Sequence, residues 1–250
     1  MSESVVTKLT EGYSFDDVLL VPQYSEIPSR EFCDVTPNLP GMNLSIPIFA
    51  ANMDTICGMK MVKKMLSLGG CGILHRYMDA SETHNILEDW GEDDQQIIIS
   101  VGTLDKDKKR IDSVLAPNQE NIGVCIDIAH GNSKNMLTTL EYIRKASPAF
   151  TGPVIAGNVC TYDAAVRLFD AGATIVKVGV GPGSSCTTRL KTGCGLPQLV
   201  AIQACAVAGP VIADGGIRYP GDAAKALAMG ARAVMIGGML AGTDCVPSYG

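Results

Sequence analysis

Histidine is scarce in these 250 residues, at positions 75, 84 and 130 only, and no His/Asp/Glu cluster has ligand spacing, which disfavours metal-dependent hydrolysis. Basic blocks are absent as well. With 20 Lys and Arg against 26 Asp and Glu and a pI near 5.1, the chain offers no nucleic-acid surface, and any anion must be held locally. No apolar run approaches the roughly 18 residues of a membrane span, because Gly, Asp or Lys interrupts each one. There is no Cys-x-x-Cys pair and no secretory leader, and most of the nine cysteines sit in apolar stretches (Cys71, Cys125, Cys160, Cys205), as expected of a soluble protein of the reduced cytoplasm. No low-complexity linker marks a second domain.

A hydrophobic content of 46% over this length can bury a full core, and suits one α/β barrel better than two small domains. Residues 1–45 are broken by Pro22, Pro28, Pro37 and Pro40, with Phe15–Leu20 giving at most a short turn and strand; they read as a strap across a barrel. From Ser45 onward, short β-rich runs alternate with helix-period segments. Strands are expected near 46–52, 71–75, 96–102, 122–129, 153–158, 174–180, 210–214 and 233–238. Helices are expected at Met59–Leu68, Ser81–Trp90, Asp105–Leu115, Ser133–Ala146, Tyr162–Ala171, Pro197–Ala208 and Gly221–Met229, with Gly69, Gly172, Gly209 and Gly230 as stops. The reading is a (β/α)8 TIM barrel over 46–250 that lacks its final helix.

Barrel chemistry belongs at the C-terminal strand ends. Those ends are rich in glycine and polar residues, most of all after the sixth strand, where Gly179, Gly181 and Gly183 lead into Ser184-Ser185-Cys186-Thr187-Thr188-Arg189. So bare a backbone can approach an anion or a cation closely. Cys186, beside Arg189 and backbone donors, is a candidate nucleophile, with a small buried hydrophobe as the alternative. Asp214-Gly215-Gly216 and Gly237-Gly238-Met239 end the last two strands, where barrels commonly hold phosphate, and with Ser184 they can take a monophosphate. Asp214 repels an anion, so its carboxylate suits ribose hydroxyls. His75 and His130 are rim candidates, each equally readable as structural.

The stretches 181–189, Lys191–Gln198, Tyr13–Leu20, Ala50–Thr55, Ile155–Val159, Asp214–Arg218 and Gly237–Gly242 together resemble the IMP dehydrogenase and GMP reductase family, in the right order over nearly the whole chain. The resemblance implies a barrel, usually tetrameric, in which Cys186 attacks C2 of a purine monophosphate (GMP or IMP) and a nicotinamide cofactor exchanges hydride there. It implies phosphate contacts at Ser184, Gly216, Gly237 and Gly238, with Gly215 and Met239 beside them, and a ribose contact at Asp214. Asp127, Ala129 and Lys177 fall on the cofactor side. The carbonyls of Gly181, Gly183 and Cys186 match a monovalent-cation site, K+ by expectation, and Thr188 matches the threonine that moves a proton in both branches.

The dehydrogenase usually carries a regulatory CBS insertion between the second helix and third strand; Trp90 instead runs through 91–94 straight into Gln95. That, with Lys191-Thr192-Gly193, resembles the reductase, which turns GMP and NADPH into IMP, ammonia and NADP. The stretches 15–22 and 214–219 lean toward an NAD-dependent dehydrogenase, some members of which lack the insertion. Arg76 stands where the reductase has a catalytic lysine, and arginine fills an electrostatic role better than that of an acid. The family's chain continues well past strand eight to a catalytic flap. A chain ending at Gly250 is expected to leave Val234 and Ile236 exposed unless a neighbour covers them, and admits a third reading, a shortened barrel that binds nucleotide without turning it over.

Overall fold

The computed structural model describes residues 11–90, 95–115, 121–183 and 186–247. Eight parallel strands close into a barrel in sequence order: β1 (Ile48–Ala50), β2 (Cys71–Leu74), β3 (Ile97–Val101), β4 (Ile122–Asp127), β5 (Val154–Val159), β6 (Ile175–Val178), β7 (Val211–Asp214) and β8 (Ala233–Ile236). Closure is made by β1 against β8, with Phe49 opposite Met235. Each strand is a short, nearly continuous run of buried residues, the pattern required where one face meets helices and the other the barrel interior.

Helices pack outside: α1 (Met59–Ser67), α2 (Ala80–Trp90), α3 (Asp105–Val114), α4 (Lys134–Ala146), α5 (Tyr162–Asp170), α6 (Thr188–Thr192), α7 (Gln198–Ala206) and α8 (Pro220–Ala228). Local chemistry sets their starts. Ser133 and Thr161 accept the Met136 and Ala164 amides as N-caps, and Pro220 opens α8 where its missing N–H costs nothing. Gly69, Gly172 and Gly230 stop helices at positive φ as expected, whereas Gly209 does not adopt that conformation. The short α6, inside the loop after β6, was not anticipated, because five residues carry no periodicity to read.

Phe49, Ile73, Ile98, Ile155, Ile175 and Ile212 fill the barrel interior, and burial of such side chains stabilises by about 1.5–3 kcal/mol each. Leu39 and Leu44 join this cluster, and Gln96 Nε2 donates to the Gly41 carbonyl at 2.8 Å, so residues 39–44 close the N-terminal end. Phe15, in a single 3-10 turn with no strand after it, is buried at the opposite end, tied down by Lys225 Nζ on its carbonyl at 2.7 Å and by Arg218 on Asp16.

The expectation that Val234 and Ile236 lie open is corrected: they are 1% and 8% exposed. Residues after β8 fold back over the wall, with Leu240, Cys245 and Val246 against the core and Lys60 Nζ donating to the Asp244 carbonyl. All nine cysteines are free thiols, and no helix of the described residues is long and apolar enough to cross a membrane.

Candidate active site

A cavity of about 700 Å³ opens at the C-terminal rim. It collects residues from seven of the eight strand ends: Asn52, Met53 and Asp54 after β1, Arg76 after β2, Asp127, Ile128 and Ala129 from β4, Asn158 on β5, Lys177 on β6, Asp214 to Ile217 after β7, and Gly237 and Gly238 after β8. Phe15 roofs one side. Its size lies in the upper half of the ~300–1,000 Å³ range of ligand sites, room for a nucleotide and part of a second.

The loop after β6 forms one wall. Gly179, at φ 145°, is required by close approach: a Cβ there would sit 2.0 Å from the Asp214 carbonyl oxygen. Gln198, on the first turn of α7, fills the space behind, donating from Nε2 to the carbonyls of Val178 (3.0 Å) and Asp214 (3.1 Å). The sequence carries no local sign of this role, because both carbonyls belong to distant strand ends and α7 carries a second glutamine, Gln203. Cys186 is exposed, its amide on the Gly183 carbonyl at 3.0 Å and its thiol donating to Thr188 Oγ1 at 3.2 Å. The alternative of a buried, inert Cys186 is thereby set aside. Arg189 is not a free cation beside the thiol, as the sequence suggested: its Nε donates to the Val180 carbonyl at 2.9 Å and its Nη2 to Leu196, clamping the base of the loop.

The Asp214-Gly215-Gly216 turn packs against this loop, a Cβ on Gly215 falling 3.0 Å from the Gly183 nitrogen, and the Gly237-Gly238 turn follows β8. Among the described residues, the amides of Gly216, Gly237 and Gly238 donate to no other group, so they are available to an anion. Asp222 shapes the first turn by accepting the Arg218 and Tyr219 amides. Met239 does not line the cavity; its side chain is 40% exposed. Ser184 lies outside the described residues. His75 and His130 do not line the cavity either; burial lowers the His75 pKa, and its Nδ1 accepts the Tyr77 amide at 3.2 Å. Arg76 does line it, with its guanidinium 5.0 Å over the Tyr77 ring.

At the floor, Lys177 Nζ lies 2.7 Å from Asp127 Oδ1 and 2.6 Å from Asp214 Oδ2, while Asn158 Nδ2 donates to the same Asp214 oxygen at 2.8 Å and to the Gly179 carbonyl at 2.7 Å. Burial alone would raise the Asp127 carboxyl, but the Lys177 charge and hydrogen bonds from Lys177 and Asn52 outweigh it and hold it below its ordinary value. The same two carboxylates overcome burial to push the Lys177 ammonium well up. Asp127, Ala129 and Lys177 all line the cavity on this side, Lys177 with its side chain only 3% exposed behind its carboxylate partners.

The carbonyls of Gly181 and Cys186 accept no hydrogen bond among the described residues, and that of Gly183 accepts one, from Cys186. Such oxygens fit a monovalent cation. No group of three or more His, Cys, Asp or Glu able to hold a metal occurs among the described residues.

A closed eight-stranded barrel whose C-terminal rim gathers a paired thiol and hydroxyl, unclaimed glycine amides and half-buried carboxylates has the build of a barrel enzyme. The chain belongs to the IMP dehydrogenase / GMP reductase domain family, whose model matches residues 12–249, and is thus an oxidoreductase of purine metabolism. A GMP reductase of Shewanella pealeana is 42% identical to it over 249 residues, covering 92% of this chain and 69% of that protein. An inosine-5'-monophosphate dehydrogenase of Cryptosporidium parvum is 37% identical over 281 residues, covering 95% and 70%. A solved inosine 5' monophosphate dehydrogenase of Legionella pneumophila superposes with a TM-score of 0.86 at 38% identity, covering 96% of this chain and 73% of that one.

Proposed function

We propose that the chain is a GMP reductase, converting GMP to IMP and ammonia at the expense of NADPH. The observation that carries this reading is the Cys186–Thr188 pair beside unclaimed glycine amides; the branch is favoured by the 42% identity to proteins named GMP reductase. The phosphate lies on the amides of Gly216, Gly237 and Gly238, and the ribose hydroxyls donate to Asp214. This leaves C2 of the purine facing Cys186. Sulfur attacks C2, the thiol proton passes through the Thr188 hydroxyl toward the 2-amino group, and ammonia departs. The sulfur–carbon bond breaks once C2 is reduced, releasing a thiolate that takes a proton from solvent to restore the thiol. Asp127 and Ala129 would hold a nicotinamide cofactor, which would supply the hydride for C2. Arg76, permanently charged, steadies developing negative charge without giving up a proton. A potassium ion on the Gly181, Gly183 and Cys186 carbonyls would fix the loop that carries the nucleophile. The dehydrogenase reading, IMP to XMP with NAD, draws on the Cryptosporidium relative and the Legionella structure.

Absorbance at 340 nm tests the choice, with GMP plus NADPH beside IMP plus NAD in potassium and thiol. Loss of absorbance with GMP alone supports the reductase, and a rise with IMP and NAD alone replaces it by the dehydrogenase. Silence in both, with either nucleotide raising Tm, replaces it by a binding-only barrel.

A further inference from the structure

Lys177 is the one charged residue in β6, and its side chain is 3% exposed. A lysine in a barrel wall carries a large desolvation cost, and it persists only where its charge is answered. Two carboxylates answer it, from opposite sides: Asp127 on β4 at 2.7 Å and Asp214 on β7 at 2.6 Å. The two acidic oxygens therefore lie no farther apart than the sum of these distances. Asp214 Oδ1 accepts nothing from the described residues, so Lys177 and Asn158 pin one oxygen and leave the other for a ligand.

Resting on the nucleotide reading above, we propose that Lys177 is a positioning residue whose single charge holds the nucleotide-side carboxylate of Asp214 and the cofactor-side carboxylate of Asp127 together, so that each half of the site feels the charge of the other. The remaining groups around the ammonium do not change this balance. Cys125, below it on β4, is held as a neutral thiol, pushed up to about 12 chiefly by burial, and Asn52 and Asn158 are neutral. Arg76 acts on Asp127 only through space, from the rim. Three charges remain, two negative and one positive. Without the ammonium, two like charges face each other on the cavity floor with nothing between them to cancel their repulsion, and Asp214 swings away from the ribose.

The test separates positioning from mere packing. Affinity for GMP is measured by calorimetry without cofactor, so any direct contact between Asp127 and cofactor is silent. Lys177→Met, which keeps the stem and removes the charge, is expected to weaken GMP roughly tenfold or more. Adding Asp127→Asn to it removes the repulsion, and the double variant is expected to recover most of the lost affinity. A purely structural lysine predicts the reverse, a double variant as weak as Lys177→Met or weaker, and that result overturns the proposal, as does wild-type affinity in Lys177→Met. Should Lys177→Met fail to fold, by circular dichroism, the double variant still folds and binds; one that does neither also overturns it. Wild-type protein that binds neither GMP nor IMP removes the underlying nucleotide reading, and this inference with it.

Discussion

The Cys186 thiol donates its hydrogen bond to the Thr188 hydroxyl across 3.2 Å, and α6 begins at that threonine. Cys186 lies two residues before the helix, so the helix start fixes the hydroxyl beside the sulfur, where the proposed mechanism needs a proton acceptor. Replacing Cys186 by Ala is expected to abolish turnover and leave GMP affinity within about twofold, since the side chain meets only the reacting carbon. Thr188→Ala is expected to lower kcat by about 10²-fold or more with little change in KM, the signature of a lost proton path. Full turnover in Cys186→Ala, followed at 340 nm, would sink the covalent mechanism.

Asp214 presents one unengaged oxygen to the cavity, and its proposed partner is a ribose hydroxyl. Asp214→Ala is expected to cost about 1.5–3 kcal/mol of GMP binding, the range for a hydrogen bond to a charged group. The cleaner check is the sugar: wild type should prefer GMP over 2'-deoxy-GMP, and Asp214→Ala should not distinguish them. An unchanged preference in the variant means that the ribose lies elsewhere.

Much of this was legible in the chain, and the reasons are local. A strand such as Ile97–Val101 and a capped helix such as Lys134–Ala146 announce themselves by burial pattern and end signals, and their alternation allows few folds besides the barrel. The Cys186 loop is one continuous segment, so its cysteine, hydroxyls and glycine-rich backbone could be picked out together. What stayed hidden depends on distant partners. Nothing local pairs Lys177 with Asp127 and Asp214, 50 and 37 residues away; the family resemblance put Lys177 and Asp127 on one side of the site, but not their shared ion pair with Asp214. Likewise Arg189 looked available to the thiol, because its attachment to the Val180 and Leu196 carbonyls follows from how the loop turns. Val234 and Ile236 looked uncovered because the segment that packs over them has no regular secondary structure to predict.

Gly179 carries the loop past β7 with its Cα facing the Asp214 carbonyl, at a φ that a side chain rarely adopts. Gly179→Ala is expected to lower stability by at least about 2 kcal/mol in urea unfolding, combining strain with the collision. It should also weaken GMP, because Asp214 must move. A variant as stable as wild type contradicts the tight approach of β6 and β7.

If the free carbonyls of Gly181 and Cys186 hold potassium, turnover depends on monovalent cation concentration. The rate should rise saturably with K+ and fall with Li+, whose small radius suits fewer, closer oxygens. Indifference to the cation removes the assignment and leaves the thiol chemistry untouched.

Asp127 gives the pH test. Its carboxyl is held below its ordinary value near 3.8 in the folded protein: burial opposes ionisation, but the Lys177 charge and hydrogen bonds outweigh it. A depressed folded value means that the unfolded chain binds the proton more readily. The contribution of Asp127 is therefore complete above about pH 5 and is lost as pH falls through 3.8 toward the folded value. Asp127→Asn has no such titration. Urea midpoints of wild type and variant should differ most at neutral pH, with wild type the more stable, and draw together as pH falls below 3.8 and the wild-type carboxyl begins to take its proton. The surface acids are common to both proteins and cancel in the difference between them. A gap that stays constant from pH 7 to pH 3 means that Lys177 does not stabilise the charge on Asp127, and that the two are neighbours without being partners.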